Sequence, residues 1–174
     1  MSWRLKSKPN SNVGAGLPAK TMPERAHAVN LRKGRVAIAD CAYVITAVCH
    51  QRLALLSGLY EARCVVNGFR SCDDMGLSQT LAFVVMPDHF HWLLILKEGG
   101  LDSLLRRLKS TTAIELNKMN QQTGRQIWQK AYYDHAIRAD EDVKAVARYI
   151  VANPIRAGLV KNLSNFSFWD VCWL

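Results

Sequence analysis

Two histidines one residue apart, His89 and His91, interrupt the otherwise apolar run VVMPDHFHWLLIL at positions 84–96. Side chains alternate faces along a strand, so both imidazoles point the same way, together with Leu93 and Ile95, while Phe90, Trp92 and Leu94 take the opposite face. Two imidazoles side by side on one sheet face form a ready pair of nitrogen ligands for a divalent metal. The spacing alone leaves a plainer reading open, in which a polar pair at a strand start is satisfied by water or backbone. Two ligands rarely suffice, and a third has to come from elsewhere in the fold. A second pair lies near the C-terminus, where Val143, Val146, Ala147, Ile150 and Val151 recur at helical spacing and define a packed stripe. Tyr149 and Asn153, one turn apart, share an edge beside that stripe, so a phenol and an amide can project together into a groove. Each also has an ordinary role: edge packing for the tyrosine, and a helix stop for an asparagine before Pro154.

The elements that must carry these groups follow from patterning. AYVITAV (42–48) is β-branched and aromatic, hence a strand. RLALLSGLYEARCVVNGF (52–69) has apolar residues at helical spacing and predicts the first helix. QTLAFVVM and HFHWLLIL predict two strands joined by a tight turn at Pro87-Asp88, an antiparallel hairpin. LDSLLRRLKSTTAIELNKM, after Gly99-Gly100, predicts a second helix, QIWQKAYYDHAIR a strand with irregular ends, and Asp140 to Asn153 a third helix with an acidic first turn. Strand, helix, strand, strand, helix, strand, helix predicts an α+β, ferredoxin-like split βαβ sandwich. Its antiparallel sheet has helices on one face, leaving the other to carry a site, and an additional C-terminal helix carries the tyrosine.

The whole-chain numbers bound the function. A chain of 174 residues with 49% hydrophobic and 21% charged composition suits one domain with a proper core, here residues 31–174. No apolar run approaches the roughly 20 residues that span a bilayer, and MSWRLKSKPN lacks the apolar centre of a secretory signal, so the cytoplasm is the expected compartment. Five cysteines without a CxxC pair argue against zinc knuckles and a disulfide framework and read as small core hydrophobes. A net charge of +9 favours a polyanionic partner, nucleic acid before membrane surface. Residues 1–30 are rich in Ser, Asn, Gly, Pro, Lys and Ala and read as a flexible basic tail. Ala15 to Ala19 can be encoded by inverted complementary DNA halves, so the tail is readable as translated palindromic repeat, with Met22 as an alternative start.

VVMPDHFHWLLIL, IWQKAYYDHAIR and ARYIVANPIRAGLV, in that order, resemble the single-tyrosine HUH transposases, specifically the IS200-like REP-associated tyrosine transposases. LRKGRVAIADCAYVITAVCHQR is similar to the family's opening and NFSFWD to its closing segment, so the resemblance spans roughly residues 31–170. It implies His89 and His91 as metal ligands on a central strand, Tyr149 as nucleophile, Asn153 as third ligand, and Mg²⁺ or Mn²⁺ as the ion, although the donor mix does not exclude zinc. Asp134, His135 and Arg138 match a recurring family segment without an evident physical role. The implied reaction is cleavage and transfer of single-stranded DNA beside palindromic REP hairpins through a 5′-phosphotyrosine, by a nucleoid-associated protein acting as a monomer. An ordinary phenol, with a pKa of about 10, needs a bound cation to polarise the phosphate it attacks. Phosphate contacts are expected from Arg106, Arg107 and Lys109 on the second helix and from Arg32, Lys33 and Arg35 at the domain entrance, each of which also reads as a solvated charge. Two alternatives remain: a domesticated hairpin-binding protein that no longer cuts, and an unrelated metal hydrolase that needs no tyrosine.

Overall fold

The computed structural model describes residues 37–138 and 141–173. The tail at 1–30, and with it Arg32, Lys33, Arg35 and Asp140, lies outside the described residues. The elements run β1 (Ala42–Val48), α1 (Leu59–Asp74), β2 (Ser78–Met86), β3 (His89–Leu96), α2 (Leu101–Met119), β4 (Tyr133–Ala136), α3 (Val143–Val151), α4 (Asn153–Arg156) and β5 (Trp169–Val171). The sheet order is β4-β1-β3-β2-β5, every pair antiparallel. This is the predicted split βαβ order with β3 at its centre, extended at the β2 edge by a fifth strand that patterning had not indicated.

One face of the sheet packs on α1 and α2. α1 presents Ala62, Val65, Phe69 and Cys72, and α2 presents Leu101, Leu104, Leu105, Leu108, Thr112 and Leu116, both at helical spacing. They enclose Phe83, Phe90, Trp92 and Leu94. Phe69 stacks on Trp92 at 4.6 Å between centroids and meets Phe90 edge-on at 5.1 Å. The buried Trp92 Nε1–H donates to Thr80 Oγ1 at 2.9 Å, so the largest core side chain leaves no polar atom unpaired. The helices approach closely at Gly68, where a Cβ would stand 2.5 Å from Leu108 Cδ1.

The other sheet face is not left free. α3 lays Val143, Val146, Ala147, Ile150 and Val151 on Leu81, Ala82, Val84, Met86, Leu93 and Val171, a second apolar cluster with Val44 and Ile95 at its border. Expecting helices on one face only missed this, because the α3 stripe is as apolar as the strands beneath it and has to be buried somewhere. The face is thereby divided, with the β2–β5 side covered and the β1–β4 side open, as the alternating exposure of β1 and the exposed β4 record.

Three boundaries differ from prediction for local reasons. α1 begins at Leu59, not Arg52, because the preceding segment is tied to its surroundings: His50 N donates to Ile127 O at 2.7 Å and Leu56 N to Pro87 O at 2.8 Å. β4 is only four residues long, with Trp128 making an isolated bridge to Cys49 upstream of it. α3 stops at Val151, and Asn153 opens the short α4 with Pro154 behind it. Of the cysteines, Cys49 and Cys72 are buried as expected, and burial pushes their thiols up to about 12 and about 11; Cys172 is exposed.

Candidate functional site

His89 and His91 open the central strand, and their rings meet edge-on with centroids 4.9 Å apart. They share the face of Leu93 and Ile95, opposite Phe90 and Trp92, as strand alternation requires. Each ring has one nitrogen already engaged. His89 Nδ1 lies 2.5 Å from Asp88 Oδ1; an ionised carboxylate only accepts, so Nδ1 carries the hydrogen, and in the neutral ring Nε2 keeps its lone pair. His91 Nδ1 lies 2.7 Å from Thr46 Oγ1, whose hydroxyl can accept in the same way and again leave Nε2 bare. Thr46 stands opposite His91 in the β1–β3 ladder, so the contact follows from register. A ligating imidazole generally has its second nitrogen held by such a partner.

The electrostatics agree with that arrangement. Burial pushes the His91 imidazole down to about 3, aided by the positive charges of His89 and Arg156 and opposed by the Asp88 carboxylate. His91 is therefore neutral at physiological pH, the form that binds metal. For Asp88, burial works upward, but the hydrogen bond and charge of His89 and the guanidinium of Arg52 outweigh it and hold the carboxyl below its usual range. Arg52 Nη1 reaches Asp88 Oδ2 at 3.2 Å. It does so from a turn in which Gln51 and Arg52 both adopt left-handed backbone, φ 53° and 54°, while Cys49 N donates to Asp88 O at 2.8 Å. Strained backbone persists where surrounding contacts over-determine it, and here those contacts fix the turn that starts the histidine strand.

Tyr149 lies on α3 at the edge of its packed stripe, 46% exposed. The guanidinium of Arg156 sits 4.0 Å over its ring, and the same charge acts on His91. Arg156 thus touches the tyrosine ring and lies within electrostatic reach of His91. Asn153 Nδ2 donates to Ile150 O at 2.8 Å and Tyr149 O at 3.5 Å. Carbonyls only accept, so the nitrogen must face them, leaving Oδ1 as the atom for any other partner. The paired imidazoles suit a divalent ion in nitrogen type, and His91 also in protonation. Among the described residues no three His, Cys, Asp or Glu side chains converge as a metal centre.

Other sequence candidates fall elsewhere. Arg106 and Arg107 are exposed on α2, across the sheet from the histidines. Lys109 is occupied: its Nζ donates to the carbonyls of Gln129 at 2.9 Å, Ala131 at 2.8 Å and Lys130 at 3.4 Å, clamping the segment that enters β4. The segment of Asp134, His135 and Arg138 acquires a structural role, because Glu141 accepts from His135 Nε2 at 2.9 Å and from Arg138 N at 3.1 Å and ties β4 to the α3 entry. Sequence reading passed over Thr46, Arg52, Asp88 and Arg156. The Arg156 signal was available, since positions 149, 153 and 156 have the i, i+4, i+7 spacing of one helix face. Thr46 and Arg52 depend on register and an irregular turn.

Comparison with known proteins follows the same span. An Escherichia coli K12 protein, the REP-associated tyrosine transposase, is 35% identical over 89 residues, which are 50% of this chain and 50% of its own length. A Haemophilus influenzae relative assigned to the same group is 30% identical over 118 residues, 59% of this chain and 66% of its own. This chain therefore spans about half of the first relative and just under two thirds of the second. A solved structure of a REP-associated tyrosine transposase bound to a REP hairpin superposes with a TM-score of 0.61 at 26% identity, covering 85% of this chain and 82% of that one. The family model for IS200-like transposases matches residues 37–153, from the approach to β1 through Asn153. A match that takes in every strand of the split βαβ core, the histidine pair and the tyrosine helix makes this chain a member of the IS200-like transposase family.

Proposed function

We propose that this protein cleaves and rejoins single-stranded DNA beside palindromic REP hairpins, through a covalent bond between Tyr149 and a 5′-phosphate. The observation that carries the reading is the pair of imidazoles with Nδ1 held by Asp88 and Thr46, facing the side of the sheet on which Arg156 covers the Tyr149 ring. Similarity to relatives described as REP-associated tyrosine transposases, one bound to a REP hairpin, supports the choice of DNA.

His89 and His91 would hold Mg²⁺ or Mn²⁺ through Nε2, with Asn153 Oδ1 as third ligand, and the bound ion supplies Lewis-acid polarisation of the scissile phosphate. Tyr149 Oη attacks phosphorus in line; the Oη–P bond forms, the bond from phosphorus to the 3′-oxygen breaks, the phenol proton leaves to water and the 3′-oxygen takes one up. Arg156 binds a non-bridging oxygen and offsets its negative charge as the attack proceeds. The phosphodiester energy is retained in the tyrosyl ester, so a second 3′-hydroxyl reverses the step without ATP. Arg106 and Arg107 on the far face, with Arg32, Lys33 and Arg35, contact backbone phosphates of the hairpin. The protein works as a monomer on the nucleoid.

Incubation of a labelled REP hairpin oligonucleotide with the protein and Mn²⁺ should give an adduct that survives SDS, and Tyr149→Phe should abolish it. An adduct of equal yield from Tyr149→Phe refutes the nucleophile. Tight hairpin binding with no adduct from the unaltered protein favours a binding protein that does not cut.

A further inference from the structure

Register brings an exposed aromatic ring into line with the histidines. Tyr133 on β4 stands opposite Thr46 on β1, Thr46 opposite His91 on β3, and His91 opposite Val84 on β2. Directly opposed residues of antiparallel strands face the same side, so these four side chains form one row across the sheet. α3 covers the Val84 end of the row, and the Tyr133 end is open, its ring 46% exposed on the edge strand. Its neighbours in and next to the row, Thr46 and the exposed His135, give it a polar border. With strands about 4.8 Å apart, the Tyr133 backbone stands roughly 10 Å from that of His91. That distance is about three stacked nucleotide rises of roughly 3.4 Å.

We propose that Tyr133 is a stacking platform for one unpaired nucleobase within about three nucleotides of the scissile phosphate, which rests on the strand-transfer reading above. A lone ring with hydrogen-bonding neighbours is too small a patch for a protein partner, whereas every base has a π-face that fits it. The net charge of +9 and the Arg156 guanidinium, whose charge is felt at His91, suit a strand whose phosphate lies at the histidines while its base reaches the open edge.

The test uses full-length Tyr149→Phe protein, which holds DNA without cutting it, and a REP hairpin whose single-stranded flanks carry 2-aminopurine at one position at a time. Fluorescence should be quenched most within three nucleotides of the cleavage position mapped with the unaltered protein. Adding Tyr133→Phe should preserve the quench. Adding Tyr133→Ala, or Tyr133→Leu as the variant that keeps apolar area, should remove it and weaken binding about five- to 150-fold. The salt dependence should not change, because no phosphate contact is lost. Unchanged quench and affinity in both variants overturn the proposal, as does an affinity loss that comes with a shallower salt slope. A Tyr133-dependent quench in a protein whose parent forms no covalent adduct supports the platform and refutes the cutting chemistry. Absence of any binding to the flanks refutes both.

Discussion

Replacing Asp88 tests whether the histidine strand is built to hold a cation. The carboxylate accepts from His89 Nδ1 at 2.5 Å with both side chains about four-fifths buried, and Arg52 steadies its other oxygen at 3.2 Å. Hydrogen bonds to a charged partner are worth about 1.5–3 kcal/mol, and neutral ones about 0.5–1.5 kcal/mol. Asp88→Asn keeps an oxygen that can accept from Nδ1 and loses only the charge, a deficit of about 1–1.5 kcal/mol, or roughly five- to twelvefold in Mn²⁺ affinity. Asp88→Ala removes the acceptor, frees the ring to rotate or change tautomer, and should cost about ten- to a hundredfold or slightly more. Mn²⁺ binding followed by calorimetry or electron paramagnetic resonance reads both directly, without DNA. The order matters as much as the size: unaltered protein tightest, asparagine intermediate, alanine weakest. If alanine binds Mn²⁺ as tightly as aspartate, His89 is not oriented by its neighbour, and the reading of the pair as preorganised ligands is wrong.

Three further outcomes follow from the same geometry. Arg156→Ala should slow adduct formation about a hundredfold with hairpin affinity little changed, and Arg156→Lys should restore part of it; single-turnover rates decide. Lys109→Met keeps the apolar stem but abandons three backbone carbonyls, so it should lower Tm by roughly 5–10 °C while leaving the salt dependence of DNA binding intact, as calorimetry and a salt titration would show. In the metal-free protein His91 titrates near 3 when folded and near 6.5 when unfolded, so below about pH 6.5 the unfolded chain takes up the proton first. Stability should therefore fall as pH drops from about 6.5, by up to about 1.4 kcal/mol per unit, and urea midpoints of His91→Gln should be flatter across pH 6.5–5.

Much of this architecture was legible because local and global signals coincide. The run 89–96 alternates cleanly, so the face shared by His89 and His91 followed from its sequence, and α2 has the bounds its leucine spacing predicts. The packed stripe of α3 was equally readable, but not its destination, because periodicity says which face is buried and never against what. Register was out of reach for the same reason. Thr46 looks like any strand threonine until it stands opposite His91, and Tyr133 like any strand tyrosine until β4 pairs with β1. Basic residues misled in the opposite direction. Lys109 has the composition of a phosphate contact, yet a lysine on a partly buried helix edge finds carbonyls closer than any ligand. The turn at 50–52 could not be read at all, since two successive left-handed non-glycine residues run against local preference and exist only because β3, the Ile127 carbonyl and Asp88 hold them.

What α3 does to the sheet also sets where Tyr149 and Arg156 stand. The helix needs no specific contact to find its place, because its valines and isoleucine remove apolar surface from water wherever they meet Leu93, Val84 and Met86. That burial is non-directional, yet it fixes a direction, because only one helix face is apolar. Once the stripe is down, Tyr149 stands at its edge with Arg156, two turns on, over its ring, and the charge of Arg156 is felt at His91 near the start of β3. Covering the entire face would close off the histidines altogether, and leaving it bare would leave the tyrosine unplaced. A nine-residue helix over a five-stranded sheet does neither: it seals the β2–β5 side and leaves the β1–β4 side uncovered. Shortening the α3 stripe, for instance by Ile150→Ala, should therefore loosen the tyrosine before it unfolds the sheet, since the aromatic core around Trp92 lies on the other face and shares none of those contacts.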